Sequence, residues 1–347
     1  MQTERIETDT REEHLHAARA KGEPKIRNFD LVGHLGKTAR AESATKHIRV
    51  GLESWMATKL MRTAMRLQPA VPDAYKPRWG QYKQIEKELH SSSTKRRQLL
   101  VFTKMPFMGG LRPSGLDFVK ELEAYELLDY HAYYQQPFHS LPGGWLSPMA
   151  ATDNEAAMRA LFGPATRDGA EGLRRLVAEQ LPSDAKVVYD FGCTCGAQSE
   201  MFLERLGPDA RVVAIDPSPF GLIYGKSKIK DPRIEWLHAF AEEAPVPDAS
   251  GDVVNIFFVL HETPDHIKQK LLKKAFDVLK PGGTLLVSEP PLWDLEHRSR
   301  GFFEPYRSQW NNWNGRKFIE DAGFTQVKQE DVADPKYVHS LHAVKPR

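Results

Sequence analysis

Apolar and polar positions follow two different periods along the second half of the chain. Four nearly continuous apolar runs stand out: Val187–Tyr189 before Asp190, Val212–Ile215 before Asp216, Val253–Leu260 before His261, and Thr284–Val287 before Ser288 and Glu289. Runs of this kind suit parallel strands buried on both faces. Between them the period is helical. Leu173, Leu176, Val177 and Leu181 mark one apolar face. Met201 and Leu203 mark a second, within Ala197–Leu206. Ile267, Leu271, Leu272, Ala275 and Leu279 mark a third, which closes at Lys280 before a Pro281-Gly282-Gly283 turn. A short helix at Lys317–Ala322 then precedes strands at 326–329 and 338–344. Strands alternating with helices predict an α/β fold built on a mostly parallel sheet.

The first half reads differently. Residues 1–50 are charge-rich without a clear period and are expected to be a mobile amino-terminal segment. Residues 51–150 read as a helical accessory region that caps a substrate. Leu52, Trp55, Met56, Leu60 and Ala64 give Gly51–Arg66 an apolar face, and 79–89 and 95–104 are shorter helix candidates. Ser114-Gly115-Leu116-Asp117 has the form of a capping box, predicting a helix that carries Phe118, Leu122, Tyr125 and Tyr130. The sheet domain is placed at 170–347.

Two strand ends carry the candidate chemistry. After Asp190 the chain turns through Gly192-Cys193-Thr194-Cys195-Gly196 into a helix. Glycines there let the backbone pass close to a ligand, and a helix start offers unpaired N–H groups. Asp216 ends the next strand, where a carboxylate can accept both hydroxyls of a ribose. The plainer alternative is a helix N-cap, since Pro217-Ser218 follows.

With the strands ending at Leu260 and Glu289, these segments resemble a class I S-adenosylmethionine-dependent methyltransferase from Gly172 to about Lys345. The resemblance implies a Rossmann-like sheet whose last strand is antiparallel. It implies S-adenosylmethionine as cofactor, near Asp190, Gly192, Cys193, Thr194, Gly196, Asp216, Pro217, Ser218, Phe240, Ala241 and Leu260. Thr194 stands where the middle glycine of G-x-G-x-G usually lies. Phe240 stands where relatives often carry an acid for the adenine amino group. The chain is also similar to a small-molecule, type 11/25-like subgroup from plants and photosynthetic bacteria. The similarity lies in Tyr133–His139, in His261-Glu262-Thr263-Pro264, and in Glu304-Pro305-Tyr306.

Methyl transfer from a sulfonium needs mainly alignment of the acceptor, with a base only where the acceptor holds its proton. His261 is the candidate general base, with Glu262 beside it; the same histidine also suits holding the cofactor's carboxylate, or simple packing. Tyr134, His139, Glu289 and Tyr306 are the candidate substrate contacts. Aromatic residues flanking the motifs, Trp145, Trp310 and Trp313 among them, suit a flat or apolar small-molecule acceptor.

Composition adds bounds. The 347 residues are 41% hydrophobic and 27% charged, as in globular chains, with a net charge of +2. Residues 1–115 hold 22 Lys/Arg against 12 Asp/Glu, which suits either a solvated helical face or an anionic partner. The two cysteines, Cys193 and Cys195, read as small packing residues, and no metal site is expected. No apolar run reaches the ~20 residues of a membrane span, so a cytoplasmic enzyme is expected. Nucleic acid is not the expected partner, because Val259-Leu260-His261-Glu262 replaces the Asn/Asp-Pro-Pro-aromatic of amino-methylating relatives. A quinone-modifying or scaffold protein on the same fold remains open, and a dehydrogenase is disfavoured by the missing G-x-G-x-x-G at Ala197.

Overall fold

Side chains one residue apart in the central strands pack on opposite faces, as a pleated strand requires. Val188, Val212 and Val253 face one layer of helices, while Tyr189, Val213 and Val254 face the other. The computed structural model describes residues 115–136, 138, 143–148, 150–151, 170–290, 305–331 and 338–347. The predicted helices within 51–104, the mobile segment 1–50 and His139 lie outside the described residues.

The described elements are α1 (Phe118–Glu121), α2 (Ala170–Ala178), β1 (Val187–Phe191), α3 (Ala197–Arg205), β2 (Arg211–Asp216), α4 (Pro219–Lys228) and β3 (Ile234–His238). They continue with β4 (Gly251–Phe257), α5 (Asp265–Val278), β5 (Leu279–Glu289), α6 (Arg307–Asn311), α7 (Gly315–Asp321), β6 (Thr325–Asp331) and β7 (His339–Val344). The seven strands lie in the order β3-β2-β1-β4-β5-β7-β6. Pairings from β3 to β5 are parallel, and β7 runs antiparallel to both β5 and β6. This is the Rossmann-like class I methyltransferase sheet that the motifs implied. The chain builds outward from β1 to β3 and then returns to β4 on the other side of β1. That reversal opens a crevice at the carboxyl ends of β1 and β4, where ligands gather in such sheets.

Leu271, Leu272, Ala275 and Val278 bury the predicted face of α5 against one side of the sheet. Val177, Phe202, Leu203 and Leu222 cover the other. Each fully buried leucine contributes about 1.5–3 kcal/mol relative to exposure. A smaller cluster of Phe118, Leu122, Leu146, Ala151, Phe220 and Ile223 docks the accessory segment on α4. It holds residues 125–136 and 143–147 across the carboxyl ends of the strands.

Two local expectations are corrected, and two elements are added. The helix near 114 starts at Phe118 and is capped by Asp117, whose side chain accepts from Lys120 N at 3.3 Å; Ser114 lies outside the described residues. It gives way to a 3₁₀ turn at Leu122–Ala124 and becomes extended at Tyr125. There Tyr125 meets His238 edge-on at 5.2 Å, so tertiary packing overrides the helical pattern. Pro281–Gly283 is not a free turn before the strand. β5 already pairs with β4 at Leu279, and the register slips between Gly251 and Val253 to accommodate the bulge. Finally, β3 and α4 are elements that the sequence pattern does not mark: along Ile234–His238 only Ile234 is buried, Glu235 is exposed and the last three residues are half-buried, so no alternation shows.

Candidate active site

The loop after β1 is shaped by its glycines. Gly192 has φ +75°, and a Cβ there would lie 2.4 Å from Val259 Cγ2. Gly196 has φ +76°, and its Cβ would meet the Trp236 ring at 2.3 Å. Between them Thr194 adopts φ +49°, a left-handed conformation that is a real strain for a β-branched residue. Its N–H donates to Asp216 Oδ2 at 2.8 Å, which holds it there. Gly196 caps α3 without a side-chain hydrogen bond, so the first N–H groups of that helix have no side-chain cap.

Asp216 is buried at the end of β2. Its Oδ1 accepts from Ser218 N at 2.7 Å and from the Tyr134 hydroxyl at 3.4 Å. Burial pushes its carboxyl up to about 6, against the opposing pull of the backbone N–H groups of Ser218 and Thr194. The N-cap of α4 is Ser218, not Asp216, with Ser218 Oγ accepting from Gly221 N at 3.4 Å. Asp190 is placed differently from Asp216. Its oxygens accept from Ser199 Oγ at 2.5 Å and Asn255 Nδ2 at 2.8 Å, all within the buried interior. Burial raises its carboxyl as well. These contacts give Asp190 the role of tying β1 to α3 and β4.

Both cysteines are reduced and buried. Burial, with Asp216 and Asp190 nearby, pushes the Cys193 thiol well above its ordinary value, the opposite of an activated thiolate. Among the described residues, no group of three or more His, Cys, Asp or Glu could hold a metal ion.

Phe240 is enclosed by rings of the accessory segment. His131 lies 4.4 Å away, Tyr134 5.6 Å, Tyr133 5.9 Å and Tyr130 6.0 Å, centroid to centroid. Ala241 follows it, buried at the start of a 3₁₀ turn. Tyr133 donates to Glu242 Oε1 at 2.6 Å, and burial holds both groups above their ordinary values. Tyr130 donates to the Pro217 carbonyl at 3.0 Å. The Tyr306 hydroxyl reaches the Tyr133 carbonyl at 3.4 Å, so this candidate substrate contact braces the same segment.

On the β4 side, Leu260–Glu262 forms a buried 3₁₀ turn. Glu289, at the end of β5, accepts at Oε1 from Val259 N (2.9 Å) and Leu260 N (2.6 Å). Its Oε2 lies 2.7 Å from His261 Nδ1. His261 Nε2 lies 3.7 Å from Glu262 Oε1, and Glu262 Oε2 accepts from Trp145 Nε1 at 2.5 Å. The Trp145 carbonyl in turn accepts from Ser218 Oγ at 2.7 Å. Trp145 therefore spans from the loop beside Asp216 to the turn bearing His261.

The structure thus links Asp216, Ser218, Tyr134, His261, Glu262 and Glu289, with Trp145 between them, through one run of polar contacts at the carboxyl ends of β2, β4 and β5. It turns Asp190 inward. Sequence reasoning missed Ser199 and Asn255, and it did not select Trp145 or Tyr130 from the aromatic residues it had noted. Polarity in a buried strand was the available signal for Asn255. The bridging roles of Trp145 and Tyr130 depend on residues more than seventy positions away. The residues present fit S-adenosylmethionine on the chemistry of their groups: a buried carboxylate able to accept hydroxyls, and a helix start without a side-chain cap.

Comparison with known proteins agrees with this geometry. Residues 188–283 match a family model described as a methyltransferase domain. The chain is 38% identical over 169 residues to a demethylmenaquinone methyltransferase of Listeria welshimeri, covering 41% of this chain and 71% of that protein. It is 37% identical over 106 residues to a ubiquinone/menaquinone biosynthesis C-methyltransferase of Vibrio campbellii, covering 29% and 40%. The match to a Listeria monocytogenes demethylmenaquinone methyltransferase spans only 42% of that relative's length. Human N-acetylserotonin methyltransferase, solved with S-adenosylmethionine, is 16% identical with a TM-score of 0.48, covering 75% of this chain and 70% of that one. A family model over the motif-bearing strands, and a relative matched over more than two thirds of its length, place the chain in the S-adenosylmethionine-dependent methyltransferase family.

Proposed function

We propose that this chain methylates a small, flat, apolar acceptor bearing a hydroxyl group, of the phenol or quinol type. The observation that carries the reading is the meeting of two sets of groups at one crevice: the buried Asp216 at the end of β2, and the His261–Glu262 turn after β4, spanned by Trp145. The quinone-related names of the curated relatives agree with an acceptor of this class.

When bound, the cofactor supplies an electrophilic methyl group on a sulfonium. Asp216, with Ser218 and the Gly192–Gly196 loop, would hold it. Tyr130, Tyr133, Tyr134 and Phe240 give the crevice an aromatic wall that excludes water from an apolar ring. His261 takes the proton from the acceptor's hydroxyl at Nε2 as the oxygen or its conjugated carbon becomes nucleophilic. Among the described residues, no helix is long and apolar enough to cross a membrane.

The test is calorimetric titration of the full chain with S-adenosylmethionine and its demethylated product, for wild type and Asp216→Ala. Methyl transfer is then followed by mass spectrometry against phenols, naphthohydroquinones, amines, thiols and RNA. Binding weakened by Asp216→Ala, with transfer to the hydroxylated rings, supports the reading. Absence of binding, or transfer confined to amines or RNA, would overturn it.

A further inference from the structure

We infer that Glu289 is the positioning residue that fixes the ring tautomer of His261, and is not a substrate contact. The inference deepens the reading above, since it rests on His261 being the base, and concerns which nitrogen takes the proton.

The geometry around Glu289 is directional. Its carboxylate receives N–H groups from three consecutive residues. Val259 N lies 2.9 Å and Leu260 N 2.6 Å from Oε1, and His261 N lies 3.4 Å from Oε2. Backbone N–H groups can only donate, so both oxygens act as acceptors in this setting. The remaining polar contact of Oε2 is His261 Nδ1 at 2.7 Å, so that nitrogen carries the hydrogen. A neutral imidazole protonated at Nδ1 has its lone pair on Nε2. The two-residue division of labour is that of a base and its orienter, in which the acid sets tautomer and angle without touching the acceptor.

The ring is also held from its other sides. Trp310 lies edge-on at 6.1 Å and Phe258 at 6.0 Å, and Glu262 Oε1 faces Nε2 from 3.7 Å, longer than a hydrogen bond and a full ångström farther than Glu289 is from Nδ1. The end of the turn is pinned by the buried Lys268, whose Nζ donates to the Thr263 carbonyl at 2.8 Å and to Asp265 Oδ1 at 2.7 Å. Glu289 is itself 1% exposed, at the end of a central strand. An acid so enclosed by its own chain's donors is poorly disposed to contact a substrate.

Glu289→Gln gives an informative reversal. The N–H groups of Val259 and Leu260 compel the amide oxygen to face them, which leaves the amide NH₂ facing His261 Nδ1. That nitrogen must then accept, and the hydrogen moves to Nε2. Glu289→Asp keeps the acceptor character and should keep the tautomer.

The experiment is long-range ¹H–¹⁵N correlation on protein labelled with ¹⁵N-histidine, at a pH where the ring is neutral. His261 signals are assigned by their loss in His261→Asn. Wild type and Glu289→Asp are expected to be protonated at Nδ1, and Glu289→Gln at Nε2. S-adenosylmethionine affinity should change less than about twofold in both Glu289 variants. With an identified acceptor, Glu289→Gln should lower kcat by roughly 10²–10⁴ with little change in KM. Protonation at Nε2 in wild type would overturn the inference. So would a doubly protonated ring throughout the stable pH range, or an unchanged tautomer in folded Glu289→Gln. If Glu289→Gln does not fold, wild type and Glu289→Asp still decide the tautomer. Failure of cofactor binding would instead strike the proposed function and leave the tautomer intact.

Discussion

Replacing Asp216 by Asn should separate stability from cofactor binding. Burial raises this carboxyl from 3.8 to about 6 even with its hydrogen bonds in place. A shift of that size corresponds to about 3 kcal/mol by which ionisation is harder in the folded chain than in the unfolded one. Between about pH 4 and 6 the folded state holds a proton that the unfolded state has lost. Stability therefore falls through this group as pH rises across that window, and the full cost is present above about pH 6. Asn carries no charge, so the variant escapes that cost. Its NH₂ must, however, face one of the two N–H groups of Thr194 and Ser218, at a penalty of about 1–3 kcal/mol. At about pH 7 the variant should be as stable as wild type or more stable by up to ~2 kcal/mol. At about pH 4 the order should reverse, with the variant weaker by about 1–3 kcal/mol. Cofactor affinity should fall about 10- to 100-fold, since hydroxyl donors lose a charged acceptor. For wild type, affinity should decline as pH drops below about 6, where Asp216 takes up its proton. Urea unfolding followed by circular dichroism at both pH values, paired with calorimetry, measures each quantity. A stability difference that does not change with pH, or unaltered affinity, would refute the reasoning.

Two glycine exchanges probe the loop in opposite directions. Thr194→Gly removes a left-handed β-branched residue, relieving about 1–3 kcal/mol of strain against ~0.5–1 kcal/mol of added chain entropy. The melting temperature should hold or rise, and a loss above ~1 kcal/mol would show that the Thr194 side chain stabilises the fold. Gly196→Ala combines φ +76° with a Cβ 2.3 Å from the Trp236 ring. It should destabilise by about 2–5 kcal/mol in a denaturant titration, and a loss below ~1 kcal/mol would mean that the indole yields freely.

The strands were legible because a parallel strand buried on both faces leaves a continuous apolar run; β2 ends at Asp216, and β1 ends one residue beyond Asp190, at Phe191. The switch point was legible as order along the chain. What resisted reading was the direction of individual side chains. Asp190 and Asp216 look alike in sequence, each closing an apolar strand. The first turns inward because Ser199 and Asn255 satisfy it, and the second faces the loop because Thr194 and Ser218 do. Phe240 is surrounded by rings more than one hundred positions upstream, a relation that no local period encodes. The three donors that surround Glu289 likewise come from a turn some thirty residues earlier, which no local pattern announces.

Strain at the end of β4 links the backbone to the chemistry. Phe258 adopts φ +58°, unfavourable for an aromatic residue, and its N–H donates to the Ser288 carbonyl at 2.9 Å. That bond prolongs contact with β5 for one residue while the left-handed turn swings the chain out of the sheet. The consequence is that Val259, Leu260 and His261 present three successive N–H groups to Glu289, one residue beyond Ser288. An ordinary extended residue at 258 would continue the strand and alternate those groups across the pleat. The conformational cost at Phe258, about 1–3 kcal/mol, is thus offset by hydrogen bonds that exist only in the turned geometry. The same geometry aims the His261 ring at the carboxylate. Positive φ alone does not mark the site, since Ala249 and Gln326 share it. What distinguishes Phe258 is that its strained backbone leads directly into the donors that hold Glu289 in place.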